Sequence, residues 1–225
     1  MTVNQVALAF HGIPEATALD HLEKYFGLGP HKGREFEGAH FELFSPSPAD
    51  EITANDLVAV SLLSVHVPAK AALGLLDSKS HEISDLLVQI PGDLKLEDLR
   101  IERHEGYFGE GSPIRDLWRL MRSKHATWGI GPTTASKLLA RKRPALVPIY
   151  DSVVARATGF SHDGGTWLAW HEALACAHSI VPALESLRSQ SGLGHISLLR
   201  ILDVVLWMEG RHGRRPVETV GESED

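Results

Sequence analysis

The sequence predicts a mainly α-helical, multi-helix protein with at most a minor β element. Apolar residues recur at three- and four-residue spacing, as in Ile114, Leu117, Trp118, Leu120 and Met121, or Leu198, Leu199, Ile201, Leu202, Val205 and Leu206. That period belongs to helices packed on one side. Helix-start signals precede several runs: Ser112-Pro113, Gly131-Pro132, and Thr53 with Asp56 three residues on. Breaks rich in glycine, proline and small polar residues separate the runs at 27–33, 45–50, 106–111, 159–165 and 191–194.

In chain order, residues 16–25 read as a short helix and 27–33 as a loop. Phe36, Phe41 and Phe44 mark a short strand or an extended cover, followed by a Ser-Pro-Ser-Pro linker at 45–50. The Thr53/Asp56 capping box opens a helix through Leu57, Val58, Val60, Leu62 and Leu63, apolar enough on all sides to be buried. Pro68 opens another helix to about 76, and 80–88 and 94–101 read as two short ones. Residues 106–111 form a glycine-rich loop holding Tyr107 and Phe108; it lacks the Gly-Lys-Ser/Thr ending of a phosphate-binding P-loop. Helices follow at 113–121, 133–140 and 151–158, then a long one at 166–190 broken near Pro182, then a last apolar helix at 196–207. The chain from Glu209 reads as a tail. The sum is about nine helices. Residues 1–210 form one helical domain or two lobes, 1–105 and 106–210, with 211–225 a flexible tail.

The composition is that of an ordinary globular protein, with 43% hydrophobic and 23% charged residues in 225. No uncharged apolar run approaches the roughly 18 residues of a membrane span. The first residues lack a basic segment followed by an apolar one, so the expected location is cytoplasmic. Cys176 is the only cysteine, which excludes an internal disulfide, a four-cysteine iron–sulfur cluster and a zinc-thiolate site. The thirteen histidines form no helical pair with carboxylates nearby, and neither metal nor cofactor is indicated.

Net charge is −7, unfavourable for nucleic acid, but it is unevenly spread. Residues 1–110 carry 8 basic and 18 acidic side chains, whereas 113–143 carry 8 basic and 1 acidic. A local basic field can steer a duplex onto an acidic body.

That basic stretch surrounds Trp128-Gly-Ile-Gly-Pro-Thr-Thr-Ala-Ser-Lys137. Gly129-Ile130-Gly131 makes a tight turn between two helices, with Pro132 at the first position of the second. Such a helix-hairpin-helix offers backbone N–H groups and a positive helix end to an anion. Gly129, Ile130, Gly131, Thr133 and Thr134 are the phosphate-binding candidates, with Lys137, Arg141, Lys142 and Arg143 adding cations along the helix. Pro144 and Pro148 end that helix, and Asp151 sits where the next one begins.

Gly129-Ile-Gly-Pro-Thr-Thr-Ala135, followed by Pro148-Ile-Tyr-Asp151, resembles the signature of helix-hairpin-helix DNA glycosylases of the endonuclease III and adenine-glycosylase branches. Asp151 follows Gly131 by 20 residues, the offset of those branches. The likeness is strong over about thirty residues, plausible from Ser112 to Arg156, and not visible in the first hundred. It implies a glycosylase-like fold, duplex DNA with an extruded base as partner, and Asp151 as the catalytic carboxylate. Two positions depart from it. Bifunctional members carry a lysine nucleophile two residues after the second glycine, where this chain has Thr133, so the resemblance implies base removal by water without strand cleavage. Tyr150 stands where an aliphatic residue is more usual. Over the whole chain the sequence resembles a bacterial family without an assigned function.

In such an enzyme a carboxylate near the anomeric carbon stabilises the cationic sugar left as the base departs. Asp-Ser before Val-Val is also an ordinary helix N-cap, and the two roles are compatible because a helix N-terminus favours negative charge. Tyr107, Phe108, Trp128 and Tyr150 are candidates for a base pocket, Tyr107 or Phe108 by stacking beside a displaced base. Trp118, Trp167 and Trp170 have the spacing of core residues. Two functions follow: a monofunctional DNA base glycosylase, or a non-catalytic DNA-binding or scaffold protein that retains the architecture. A protein- or nucleoside-binding helical domain is a third.

Overall fold

The computed structural model describes residues 4–122, 128–160, 165–176 and 179–212. Among them the secondary structure is entirely helical: α1 (Gln5–His11), α2 (Glu15–Phe26), α3 (Ala54–Ser61), α4 (Ala69–Leu73), α5 (Ser80–Leu87), α6 (His104–Phe108), α7 (Pro113–Met121), α8 (Pro132–Lys142), α9 (Ser152–Thr158), α10 (Gly165–Ala175), α11 (Val181–Gln190) and α12 (Leu198–His212). The mainly α class is therefore correct, and the strand considered at 36–44 is instead a 3-10 turn, Glu37–His40. No helix among the described residues is long and apolar enough to cross a membrane.

The last helix organises the packing. Leu198, Leu199, Ile201, Leu202, Val204, Val205, Leu206 and Met208 of α12 are all buried. With apolar side chains around most of its circumference, α12 is an interior helix, and it packs against α1, α2, α9 and α11. A second group sets α3 against α8, and α7 against α5 and α8. One continuous hydrophobic cluster runs from Val6 to Met208 through both groups.

Several boundaries follow the sequence signals. Thr53 caps α3, its N–H donating to Asp56 Oδ2 at 2.8 Å. Ser112 Oγ accepts from Arg115 N–H at the start of α7, with Pro113 in the first turn. Other elements differ. Residues 94–101 give only the turn Leu96–Asp98 and the start of another, Ile101–Arg103. The glycine-rich loop begins within α6, so Tyr107 and Phe108 are helical. The helix expected at 166–190 is broken near Pro182 as the sequence suggests, into α10 and α11, with Pro182 in the first turn of the second. The last helix runs past Trp207 to His212, five residues longer than the sequence suggests; the tail expected from the sequence lies, beyond His212, outside the described residues.

Candidate functional site

Gly131 and Pro132 open α8 as the sequence predicts, but residues 128–131 carry no turn or bend of their own, so the expected tight Gly-Ile-Gly turn is not formed there. Gly129 has φ +74°, a left-handed conformation that favours glycine, and it is exposed, as is Gly131, the N-cap of α8. Ile130 between them is buried, anchoring the segment that leads into α8. Trp128, just before it, is 8% exposed and lies over Gly74, where an added Cβ would sit 2.2 Å from the indole. Gly74 opens a π-type turn, Gly74–Ser78, and its missing side chain leaves room for the ring. Trp128 thus fixes the hairpin to the body and is not a base-pocket residue.

Helix α8 is buried on almost every side, from Thr134 through Ala140 and again at Lys142. Its polar side chains therefore find internal partners. Ser136 Oγ accepts from Tyr150 N–H at 2.9 Å and lies 2.9 Å from the Thr133 carbonyl, to which it donates. That bond ties the link before α9 to the middle of α8. One residue on, Lys137 Nζ donates to the Leu63 carbonyl at 2.8 Å and to Asp151 Oδ2 at 3.2 Å. Asp151 caps α9 through its other oxygen, which accepts from Val153 N–H at 2.8 Å. Both carboxylate oxygens are thus oriented, one by the helix it opens and one by the lysine. Burial lowers the Lys137 ammonium from its ordinary value, partly offset by the attraction of Asp151.

Lys137 and Asp151 line a cavity of about 280 Å³. Its remaining walls come from Ile149 and from distant parts of the chain: Tyr25 of α2, Phe36 to Gly38, Leu62 to Ser64 after α3, and Arg200, Asp203, Val204, Trp207 and Arg211 of α12. Tyr25 and Phe36 stack at 5.4 Å, and Trp207 meets both edge-on at 5.9 and 5.7 Å. The Arg211 guanidinium lies over the Trp207 ring at 4.9 Å. The volume is near the low end of small-molecule sites, about 300 Å³, and suits a single ring system.

Beneath the aromatics lies a buried charge cluster. Arg200 Nη2 donates to Tyr25 Oη at 2.7 Å and to the Gly38 carbonyl at 3.1 Å, and Nη1 donates to Asp203 Oδ2. Its Nε stands 3.0 Å from Glu42 Oε1, an ion pair outside hydrogen-bond geometry. Burial opposes the Arg200 charge, yet Tyr25, Glu42 and Asp203 hold its pKa above the usual value. Burial pushes the Asp203 carboxyl up to about 6 against the pull of Arg200, with Asp151 adding to the rise. Asp203 Oδ1 is buried and has no hydrogen-bond partner among the described residues.

Several expected site residues lie elsewhere. Arg141, Lys142 and Arg143 do not face solvent, where a phosphate could reach them. The segment 41–50, expected to be a cover and linker, wraps the end of α8. Arg141 donates to the carbonyls of Phe41 (2.6 Å), Glu42 (2.7 Å), Phe44 and Ser45 (3.0 Å), and its Nε meets Asp56 at 3.2 Å. Lys142 pairs with Asp56 at 2.5 Å and donates to Ser47 Oγ and the Pro48 carbonyl. Arg143 pairs with Asp50 at 2.6 Å and donates to the carbonyls of Leu87, Ala49 and Ile90. An irregular segment leaves carbonyls without ladder partners, and the three cations supply the donors. Lys137 is likewise spent inside.

Phe108 is 1% exposed, stacked on His104 and against Trp167, and is a core residue rather than a base-stacking one. Tyr107 is half-buried with Arg103 over its ring, and it is not among the cavity-lining residues. Neither is Tyr150, although Ile149 and Asp151 on either side of it are. Tyr150 is 7% exposed, and burial together with the Asp151 charge raises its phenol. Thr133 is half-buried and Thr134 buried. The sequence reasoning missed Tyr25, Phe36, Ser136, Arg200, Asp203 and Trp207. The one available signal was charge within the otherwise apolar α12: Arg200 and Asp203 fall three residues apart and so share a face.

A family model described as "Family of unknown function (DUF6308)" matches residues 18–210, and the chain belongs to that family. No curated protein and no solved structure matches it.

Proposed function

We propose that this member of a family of unknown function is a helix-hairpin-helix DNA glycosylase that removes an extruded base without cutting the strand. The observation that carries the reading is the position of Asp151. Its carboxylate lines a ring-sized, aromatic-walled cavity and is held by Lys137 and by the first turn of α9. The exposed glycines Gly129 and Gly131, at the start of the helix that carries Lys137, offer backbone N–H groups to a phosphate.

In this mechanism the base occupies the cavity. The N-glycosidic bond breaks, its electron pair leaves with the base, and the sugar becomes oxocarbenium-like. The Asp151 carboxylate stabilises that charge from a fixed position. Water adds at the anomeric carbon and gives up a proton, and the departing base takes up one, so the products are a free base and an abasic site. Lys137 is an amine at the cavity, but it is committed to Asp151 and the Leu63 carbonyl and serves as a counter-charge.

The test is base release from duplexes carrying alkylated, oxidised, deaminated and bulky modified bases, comparing wild type with Asp151→Asn. Asparagine can still cap α9 but carries no charge. The expected result is release by wild type, a loss of at least about a hundredfold in the variant, and intact strands until alkali is added. A borohydride-trapped covalent adduct would reassign Lys137 as a nucleophile. Duplex binding without product would favour the non-catalytic DNA-binding alternative. A further reading has its own observation: with Arg141, Lys142 and Arg143 turned inward, the cavity could serve a free nucleoside. Nucleoside turnover, with duplex affinity no better than that of a charge-matched control, would mark it.

A further inference from the structure

Six charged side chains line the cavity, and four of them answer each other. Lys137 pairs with Asp151, and Arg200 with Asp203. The other two, Glu37 and Arg211, are exposed and so belong to its rim. No ion pair joins them among the described residues. Arg211 follows Trp207 by four residues on α12, so the two share a face. Its guanidinium lies 4.9 Å over the Trp207 ring and 5.6 Å over the Phe36 ring. Both rings are cavity walls, and Phe36 also stacks on Tyr25. Two aromatic faces thus hold the planar cation beside the opening. Stacking uses the face of a guanidinium and leaves its in-plane N–H donors available. Those of Arg211 have no acceptor among the described residues. Arg141, Arg143 and Arg200, by contrast, spend theirs on carbonyls and carboxylates.

We propose that Arg211 is a phosphate anchor at the rim, so that the cavity takes a nucleotide by its ring and its sugar phosphate together, in preference to the nucleoside without that phosphate. This rests on the base-removal reading only in taking a nucleobase as the ring. Two parallel N–H donors of the guanidinium match two phosphate oxygens, a geometry lysine cannot offer. The aromatic wall that braces Arg211 also bounds the space for the ring, so one ligand reaches both. Glu37, an acceptor only, repels a phosphate and leaves Arg211 as the side of the rim where the anion sits. The phosphate comes from the DNA backbone beside an extruded base or from a free nucleotide, and the recognition chemistry is the same.

The full chain is titrated by calorimetry at pH 7.5 with the four common deoxynucleosides, with their 3′,5′-bisphosphates, and with a duplex holding an abasic-site analogue. Wild type is compared with Arg211→Gln and with Arg100→Gln, which removes an exposed charge that does not line the cavity. Because Arg211 is exposed, its replacement leaves the core intact. Wild type should bind at least one bisphosphate about tenfold or more tighter than its nucleoside. Arg211→Gln should lose that preference and Arg100→Gln keep it. A matching loss on the duplex marks a backbone phosphate, and loss on the bisphosphate alone a free nucleotide. The proposal is overturned if bisphosphate and nucleoside bind wild type equally, if no probe binds, or if Arg211→Gln costs no probe more than Arg100→Gln does. Base release is read separately: its absence with the phosphate preference intact sinks the glycosylase reading and leaves this one standing, and release without the preference does the converse.

Discussion

Replacing Asp56 by alanine tests whether the basic end of α8 is structural. Asp56 is fully buried and receives Lys142 at 2.5 Å, Arg141 at 3.2 Å, Ser47 Oγ at 2.7 Å and Thr53 N–H at 2.8 Å. The side chains of Lys142 and Arg141 are 2% and 6% exposed, so solvent screens neither. Removing one partner of a buried pair leaves uncompensated charge and costs about 3–5 kcal/mol. For a chain of this size each kcal/mol is worth roughly 2–4 °C, so the melting temperature should fall by about 6–20 °C, read by circular dichroism or calorimetry. The pH dependence has a definite sign. Burial alone would raise the Asp56 carboxyl, but hydrogen bonds from Lys142, Ser47 and the Thr53 N–H outweigh it and hold the group below its usual value. A carboxyl depressed in the folded state contributes stability above its unfolded value, about 3.9, and loses it as pH falls through the lower folded value. Asp56→Ala should therefore differ most from wild type above about pH 4 and converge with it in stronger acid. Were Arg141, Lys142 and Arg143 phosphate ligands instead, losing each would flatten the salt dependence of duplex binding by about 0.9 in log–log slope. An Asp56→Ala protein melting within about 2 °C of wild type, or substitutions at 141–143 that spare stability and reduce the salt slope, would refute the reasoning.

Further outcomes follow from the same contacts. Gly74→Ala drives a methyl into the Trp128 ring; the expected cost is about 1–3 kcal/mol, with a shift in tryptophan emission and weaker duplex binding because Trp128 anchors the hairpin. Ser136→Ala leaves the buried Tyr150 N–H unpaired and loosens the brace before Asp151; about 1–3 kcal/mol should be lost, and base-release rate should fall more than duplex affinity. Two buried groups titrate in opposition. Burial, with the nearby His171 and Arg115, holds His104 near 4, so stability drops as pH falls from about 6.5 toward 4 because only the unfolded chain takes that proton. Asp203, raised to about 6, does the reverse between about 6 and 4, since there the folded state binds the extra proton. Each should amount to about 1–2 kcal/mol by pH 5. Wild-type urea midpoints at pH 7 and 5 should thus lie closer together than those of Asp203→Asn, in which only the histidine effect remains.

What the sequence revealed was whatever local chemistry decides. A serine or aspartate before a proline or an apolar run caps a helix wherever the chain goes, as Ser112 and Asp151 do, and Thr53 caps through its box with Asp56. Gly129 takes a positive φ, as glycine readily does. The errors are tertiary. In sequence Phe108 is one of two aromatics of a glycine-rich loop and a candidate for stacking on a displaced base; packing against His104 and Trp167 places it in the core. The buried His104–His171 contact at 2.9 Å joins residues 67 apart, and periodicity within one helix carries no trace of it. His171 Nε2 donates to the Leu99 carbonyl at 2.6 Å, a partner that only the fold brings to it. The cavity is a still stronger case, since its walls span Tyr25 to Arg211 and only Lys137 and Asp151 were within reach of a local motif.

The misread cations follow a rule that the charge distribution itself contained. A surplus of 18 acidic over 8 basic side chains in residues 1–110 was set beside a basic stretch, and the stretch was assigned to an external anion. In the folded chain the two halves answer each other. Asp50 and Asp56 take Arg143, Arg141 and Lys142, and Glu42 takes Arg200. Three consecutive cations on a helix point in different directions, so a single flat phosphate surface would engage them poorly. A segment that wraps the helix end can engage all three, as 41–50 does. Opposite charge excesses in two parts of one small chain are thus first a signal of internal pairing, and only the cations that find no such partner belong to a nucleic-acid footprint. By that standard any footprint here rests on the backbone of Gly129 to Gly131 and on cations such as Arg122, exposed at the C-cap of α7, rather than on the end of α8 or on Arg119, which pairs with Glu110 and Asp116.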